Sequence, residues 1–282
     1  MTRISEILAD LRRSLAQVSD SPGLDSQVLL AHVLNKPRTW VLTHPESQLT
    51  SDQEAQIELA EERLIQGTPL PYVLGHWEFF GLDFQITRDI LIPRPETELL
   101  VENALEWLHK CPDRRLALDV GTGSGCIAIT LASQIQDLIV IATDISLPAV
   151  QAARHNANRI GVFPRVKCLQ ADLFPPTESR FDLICANLPY IPTAKLHNLP
   201  VYGKEPEVAL DGGWDGLDLI RKLLDSAPHW ISPGGLILLE IESSQGQSVS
   251  TLAESVMPKA DIQIQPDLAG LDRLLRIHTV EI

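Results

Sequence analysis

Basic residues are scarce in this sequence: 23 lysines and arginines stand against 37 aspartates and glutamates in 282 residues, a formal net charge of −14. Such a field repels phosphate backbones unless cations cluster locally, which argues against nucleic acid as a direct partner. A basic segment of another protein is attracted instead, and the same excess also serves solubility. Cysteine is equally sparse. Cys111, Cys126, Cys168 and Cys185 show no paired short spacing, and the last three sit in apolar runs, so they read as reduced core residues rather than disulfides. The histidines are scattered without a metal-ligand pair, so no metal site is expected. No run reaches the ~18 apolar residues of a membrane span, and the first residues, MTRISEILADLRR, lack the apolar stretch of a secretory signal. A monomer in the cytoplasm, away from the membrane, is the expectation.

What is present is a globular composition, 44% hydrophobic and 21% charged, long enough for one α/β domain and a smaller companion. From Ile4, apolar residues recur at three- and four-residue steps (Ile7, Leu8, Leu11, Leu15, then Val28, Leu29, Val33, Leu34), which predicts an all-helical N-terminal domain over 1–75. A further helix starts near Ser51, capped by Thr50 or Ser51 with Glu54 in reach. The segment 76–92 reads as a hairpin linker, its aromatic and β-branched residues flanking Gly81. Over 93–282, strand-like runs at 116–120, 138–144, 166–172, 181–187 and 234–241 alternate with helical stretches, and two more close the chain. That pattern predicts an α/β fold: a doubly wound, seven-stranded Rossmann-like sheet with an antiparallel pair at its edge and ligands at the carboxyl ends of its strands.

The first strand runs directly into Asp119-Val120-Gly121-Thr122-Gly123-Ser124-Gly125, followed at once by the apolar helix CIAITLASQ. Glycines permit a tight turn and close approach to a ligand, and the helix start presents free N–H groups. The spacing G-x-G-x-G departs from the dinucleotide fingerprint, whose third glycine falls one position later. Asp144, ending the second strand, can accept from both hydroxyls of a ribose; the alternative is a helix cap, a role open to Ser146 as well. Asp172, ending the third strand, is placed to accept from an adenine amine with Leu173 covering the ring, unless Asp-Leu-Phe-Pro-Pro is simply a turn. Together these residues predict a nucleoside site.

The fourth strand ends at Asn187-Leu188-Pro189-Tyr190, which brings a carboxamide, a proline break and a phenol to the same edge. A planar amide or amino nitrogen is held through its two hydrogens with its lone-pair face toward an incoming methyl, so the site must supply acceptors. The Asn187 side-chain oxygen and the backbone oxygen of Leu188 or Pro189 are such acceptors, and Tyr190 can stack on the planar group. This chemistry needs no nucleophilic side chain. Asn187, Pro189 and Tyr190 are the candidate catalytic residues, and Asn187 to Tyr190 the candidate substrate-binding ones, for direct transfer from S-adenosyl-L-methionine.

Four motifs combined, Ile92-Pro93-Arg94-Pro95-Glu96-Thr97-Glu98, the loop from Asp119 to Gly125, Asn187-Leu188-Pro189-Tyr190 and Glu205-Pro206-Glu207-Val208-Ala209-Leu210-Asp211-Gly212-Gly213, resemble those of the release-factor glutamine methyltransferases (the PrmC or HemK family). The resemblance implies methyl transfer from S-adenosyl-L-methionine to the glutamine of the Gly-Gly-Gln motif of peptide chain release factors, recognised partly through the helical N-terminal domain. It implies cofactor contacts at Gly121, Thr122, Gly123, Ser124, Gly125, Asp144, Leu173 and Asn187, to which Asp172 is added from the residues alone. The family usually carries proline where this chain has Leu188. Glutamine methylation of a ribosomal protein and methylation of an adenine amino group are the alternatives, the latter disfavoured by the acidic charge. The Pro93 to Thr97 segment also reads as a plain helix start, and Asp211-Gly212-Gly213 as a turn with Asp215 a helix cap.

Overall fold

In the computed structural model, which describes residues 2–281, the apolar periodicity at the start of the chain becomes five helices: α1 (Ile4–Ser14), α2 (Pro22–Leu34), α3 (Arg38–Thr43), α4 (Ser51–Ile65) and α5 (Leu70–Leu74). Ile4, Leu11, Leu29 and Ile57 lie on the buried stripe, each worth ~1.5–3 kcal/mol when removed from water. The start of α4 differs from expectation. Thr50 is the cap, but the reciprocal partner is Gln53: its N–H reaches Thr50 Oγ1 at 3.3 Å and its Oε1 accepts the Thr50 N–H at 2.9 Å. Glu54 instead accepts the Thr2 N–H at 2.7 Å. These helices form one compact unit ending at His76, and a second runs from Trp77.

Strands β1 (His76–Phe79) and β2 (Leu82–Gln85) form a hairpin whose turn residues Phe80 and Gly81 have φ of 52° and 73°. Two positive φ values match the strand twist, which explains the glycine; Phe80 takes the strained partner position with its N–H held by Glu98 Oε1 at 2.9 Å. From Trp77 onward the hairpin groups with the second unit. Asn156, fully buried, ties it to the glycine loop: its side chain accepts from Gln85 N and donates to the Gln85 and Ser124 carbonyls.

The rest of the second unit is a mixed seven-stranded sheet. In chain order its elements are α6 (Thr97–Lys110), β3 (Leu116–Val120), α7 (Cys126–Gln134), β4 (Ile139–Asp144), α8 (Leu147–Ile160), β5 (Val166–Gln170), β6 (Phe181–Ala186), α9 (Thr193–Leu196), α10 (Asp218–Trp230), β7 (Ile231–Glu240), α11 (Gly246–Val256), β8 (Asp261–Pro266) and β9 (Asp272–His278). The strand order is β5-β4-β3-β6-β7-β9-β8, parallel from β5 through β7, with β9 antiparallel to both of its neighbours. The inner strands are apolar on both faces because helices cover both; Leu118, Ile184 and Ile237 are inaccessible to solvent. Strand β5 stops at Gln170, so Asp172 lies in the following loop rather than at the strand end.

Order reverses between β3 and β6, and this is where a doubly wound sheet opens a crevice. The register there is decisive. Val120 pairs with Ala186, and Ala186 with Leu239, so Gly121 and Asn187 leave the sheet at the level of Glu240, the last residue of β7, which still pairs with Leu274 of β9.

Candidate active site

The glycine loop is shaped by its own backbone. Gly121, Gly123 and Gly125 have φ of 72°, 55° and 84°, values that favour glycine. The N–H groups of Gly121 and Thr122 both bond the Thr143 carbonyl at 2.9 Å. Beneath the loop, Asp119 Oδ2 accepts the Thr122 hydroxyl at 2.6 Å and the Ala128 N–H at 3.2 Å, while Oδ1 has no partner among the described residues. Burial pushes its carboxyl up to about 7, against the pull of those two bonds.

Asp144 divides its carboxylate between the Gly123 N–H and the Ser146 N–H, each at 2.9 Å, and Ser146 caps α8. Burial raises its pKa, and these backbone bonds oppose the rise. A carboxylate with two bonds made still has lone pairs for a ligand. Leu173 is held at φ 59° with its carbonyl on the Thr143 hydroxyl at 2.6 Å, a conformation a branched residue adopts only when its surroundings fix it.

A cleft of about 570 Å³ at the switch point brings together Gly121, Gly123, Asp144, Asp172, Leu173, Asn187, Leu188 and Pro189. Thr122, Ser124 and Gly125 do not line it. The Thr122 hydroxyl turns to Asp119, Ser124 is buried, and Gly125 is a packing glycine: an added Cβ there would sit 2.6 Å from Ile129 and 3.2 Å from Ala153. These three residues shape the loop rather than its surface.

The tetrapeptide is built from far-separated segments. Asn187 Nδ2 donates to Thr97 Oγ1 at 3.0 Å, Thr97 Oγ1 donates to Glu240 Oε2 at 2.6 Å, and the Tyr190 hydroxyl donates to Glu240 Oε1 at 3.3 Å. Burial raises the pKa of Glu240, opposed chiefly by its bonds from Thr97 and Tyr190. Tyr190 is displaced upward by burial and then by the neighbouring Glu240 charge, so it stays a neutral phenol. The Leu188 side chain packs into the core, and a Cβ on Gly121 would come within 3.0 Å of it. Among the described residues the Leu188 and Pro189 carbonyls accept no hydrogen bond.

On its other side the tetrapeptide borders a second cavity of about 170 Å³, lined also by Arg94, Leu199 and Val201. Asn187, Leu188 and Pro189 belong to both walls; Tyr190 lines only the smaller cavity. Arg94 bonds Glu205 Oε1 at 2.5 Å, and Glu205 Oε2 accepts the Ile92 N–H at 3.2 Å, which joins the first and last of the four motifs. The Asp211 turn is as expected: its Oδ1 accepts from the Thr193 hydroxyl and Gly213 N.

Comparison with known proteins settles the family. Residues 6–75 match the PrmC N-terminal domain and residues 95–199 the methyltransferase small domain. A release factor glutamine methyltransferase from Moorella thermoacetica is 43% identical over 265 residues, covering 93% of each chain. One from Koribacter versatilis is 38% identical over 270 residues, covering 94% of each. The chain belongs to the release factor glutamine methyltransferase family. A solved methyltransferase from Pyrococcus furiosus, 20% identical, shares the fold at a TM-score of 0.53 over 83% of this chain and all of that one.

This family member is an S-adenosyl-L-methionine-dependent methyltransferase, and the cleft fits that cofactor. Its volume suits a nucleoside with an amino-acid tail, a side chain at Gly121 would press on the tetrapeptide, and Asp144 offers a carboxylate at the rim. The sequence alone leaves Thr97, Arg94 and Glu205 of the quoted motifs without a role and does not single out Glu240. The available signal was Glu240 itself, one acid ending the apolar run GGLILLE on a strand of the same sheet.

Proposed function

We propose that the chain transfers the methyl group of S-adenosyl-L-methionine to the side-chain amide nitrogen of the glutamine in the Gly-Gly-Gln motif of peptide chain release factors. The observation that carries the reading is the tetrapeptide standing as a common wall between a large cavity and a small one. The cofactor supplies an electrophilic methyl group. Gly121 and Gly123 let the backbone approach it, Asp144 accepts from its ribose hydroxyls, Asp172 from its adenine amine, and Leu173 covers the ring. The glutamine side chain enters the small cavity, where Asn187 Oδ1 and the free carbonyl of Leu188 or Pro189 accept its two amide hydrogens. As the N–CH₃ bond forms and the S–CH₃ bond breaks, these acceptors draw off the positive charge on the nitrogen, one of its two protons is released, and the demethylated cofactor leaves as a neutral thioether. Tyr190 borders the small cavity and packs on the planar amide.

The relatives named above are release factor glutamine methyltransferases, which supports this substrate over a ribosomal protein or an adenine. In this reading residues 1–75 recognise the release factor, 76–92 link, and 93–282 carry the transfer, in a cytoplasmic monomer. The test is incubation with methyl-labelled S-adenosyl-L-methionine and either a purified release factor or its Gly-Gly-Asn version. Label on the first alone is the expected result; label on both, or on neither, overturns the assignment.

A further inference from the structure

The hydrogen bonds behind Asn187 have a direction, and direction decides what Asn187 offers to a ligand. A carboxamide is nearly isosteric with its own flipped form, so its orientation is set only by its partners. Thr97 has a single hydroxyl proton. It is donated to Glu240 Oε2 at 2.6 Å, which leaves the hydroxyl no proton for a second bond. Thr97 Oγ1 can then only accept from its other neighbour, the Asn187 side-chain nitrogen at 3.0 Å. The Tyr190 hydroxyl occupies the second oxygen of Glu240, and Glu240 is 2% exposed, which excludes water as a competing donor.

We infer that Glu240 and Thr97 are positioning residues: they hold the Asn187 carboxamide with its nitrogen inward and its oxygen toward the cleft, and so make Asn187 an acceptor rather than a donor. Without them the carboxamide flips freely, and its flipped form meets a substrate N–H donor with another donor. The unit works because β6 and β7 are adjacent and in register, which sets Asn187 beside Glu240, while the first turn of α6 lowers Thr97 between them. The inference rests on the proposed role of Asn187 toward an amide nitrogen, but its first test does not.

In side-chain amide spectra of the full-length chain, the Asn187 NH₂ signal, identified by its loss in Asn187→Ala, exchanges with solvent slowly in the wild type and in Thr97→Ser. In Thr97→Val it exchanges at the rate of an exposed amide; equal protection in Thr97→Val overturns the inference whatever the substrate is. The second test is kinetic. Thr97→Val lowers kcat by about tenfold or more with cofactor affinity within about threefold of wild type, and Thr97→Ser restores it. In the Asn187→Ala background Thr97→Val adds less than about twofold, because the residue it acts through is gone. A loss of the same size in both backgrounds assigns Thr97 a merely structural role and overturns the inference.

Discussion

At the glycine-loop end of the cleft the bonds that fix the geometry join residues 3, 9 and 21 positions apart, whereas at the tetrapeptide end they join residues 50, 90 and 143 apart. The first end is a local structure, a turn whose shape follows from three left-handed glycines and two acids on neighbouring strands. The second exists only because the sheet order sets β6 beside β7 and brings α6 across their ends. Binding the cofactor and orienting the substrate amide are therefore separable, and substitutions at each end test that separation.

At the local end the largest expected effect is on cofactor binding. Asp144→Ala removes a charged acceptor and releases the Gly123 and Ser146 N–H groups, weakening cofactor binding by about a hundredfold in calorimetric titration. At saturating cofactor its kcat stays within about threefold of wild type; a collapse of kcat there breaks the division of labour. At the other end, Arg94→Met leaves Glu205, whose side chain is 4% exposed, with the Ile92 N–H as its one side-chain partner among the described residues, and costs about 2 kcal/mol in urea unfolding.

Asp119 gives a smaller, pH-dependent effect. Its folded pKa lies above its ordinary value of 3.8, at about 7, because of burial. The folded state therefore binds more protons than the unfolded chain between those values, and the contribution present below pH 3.8 is lost as pH rises through 7. Asp119→Asn removes that loss, so its stability relative to wild type improves by about 1 kcal/mol between pH 6 and pH 7.5, measured by chemical unfolding at each pH. The smallest effect is at Leu188. Its side chain packs in the core against Gly121 while its backbone carbonyl stays free, so Leu188→Pro changes turnover by no more than about threefold. Turnover raised by orders of magnitude overturns that reading.

The same contrast explains what was legible in the sequence. Strand β3, the turn after it and the antiparallel edge pair follow from local period and glycine placement, which act over a few residues. The cleft residues Gly121, Gly123, Asp144 and Asn187 follow too, because each sits where a strand ends. The run VKCLQAD reads as one strand ending at Asp172, whereas the pairing stops at Gln170. The resemblance implies cofactor contacts at Thr122, Ser124 and Gly125 as well, yet these three do not line the cleft, and a loop sequence does not reveal which of its residues turn inward. Thr97 and Glu240 stayed unassigned for a deeper reason: their partners are set by strand order and register, which no local pattern encodes.

The separation of the two ends is tested most directly at Asn187. Asn187→Ala keeps cofactor affinity within about tenfold of wild type and lowers single-turnover methyl transfer by about a hundredfold or more, the value of one oriented acceptor of ~3 kcal/mol. A loss of cofactor affinity as large as that of Asp144→Ala would contradict the separation, because Asn187 would then belong to the cofactor end.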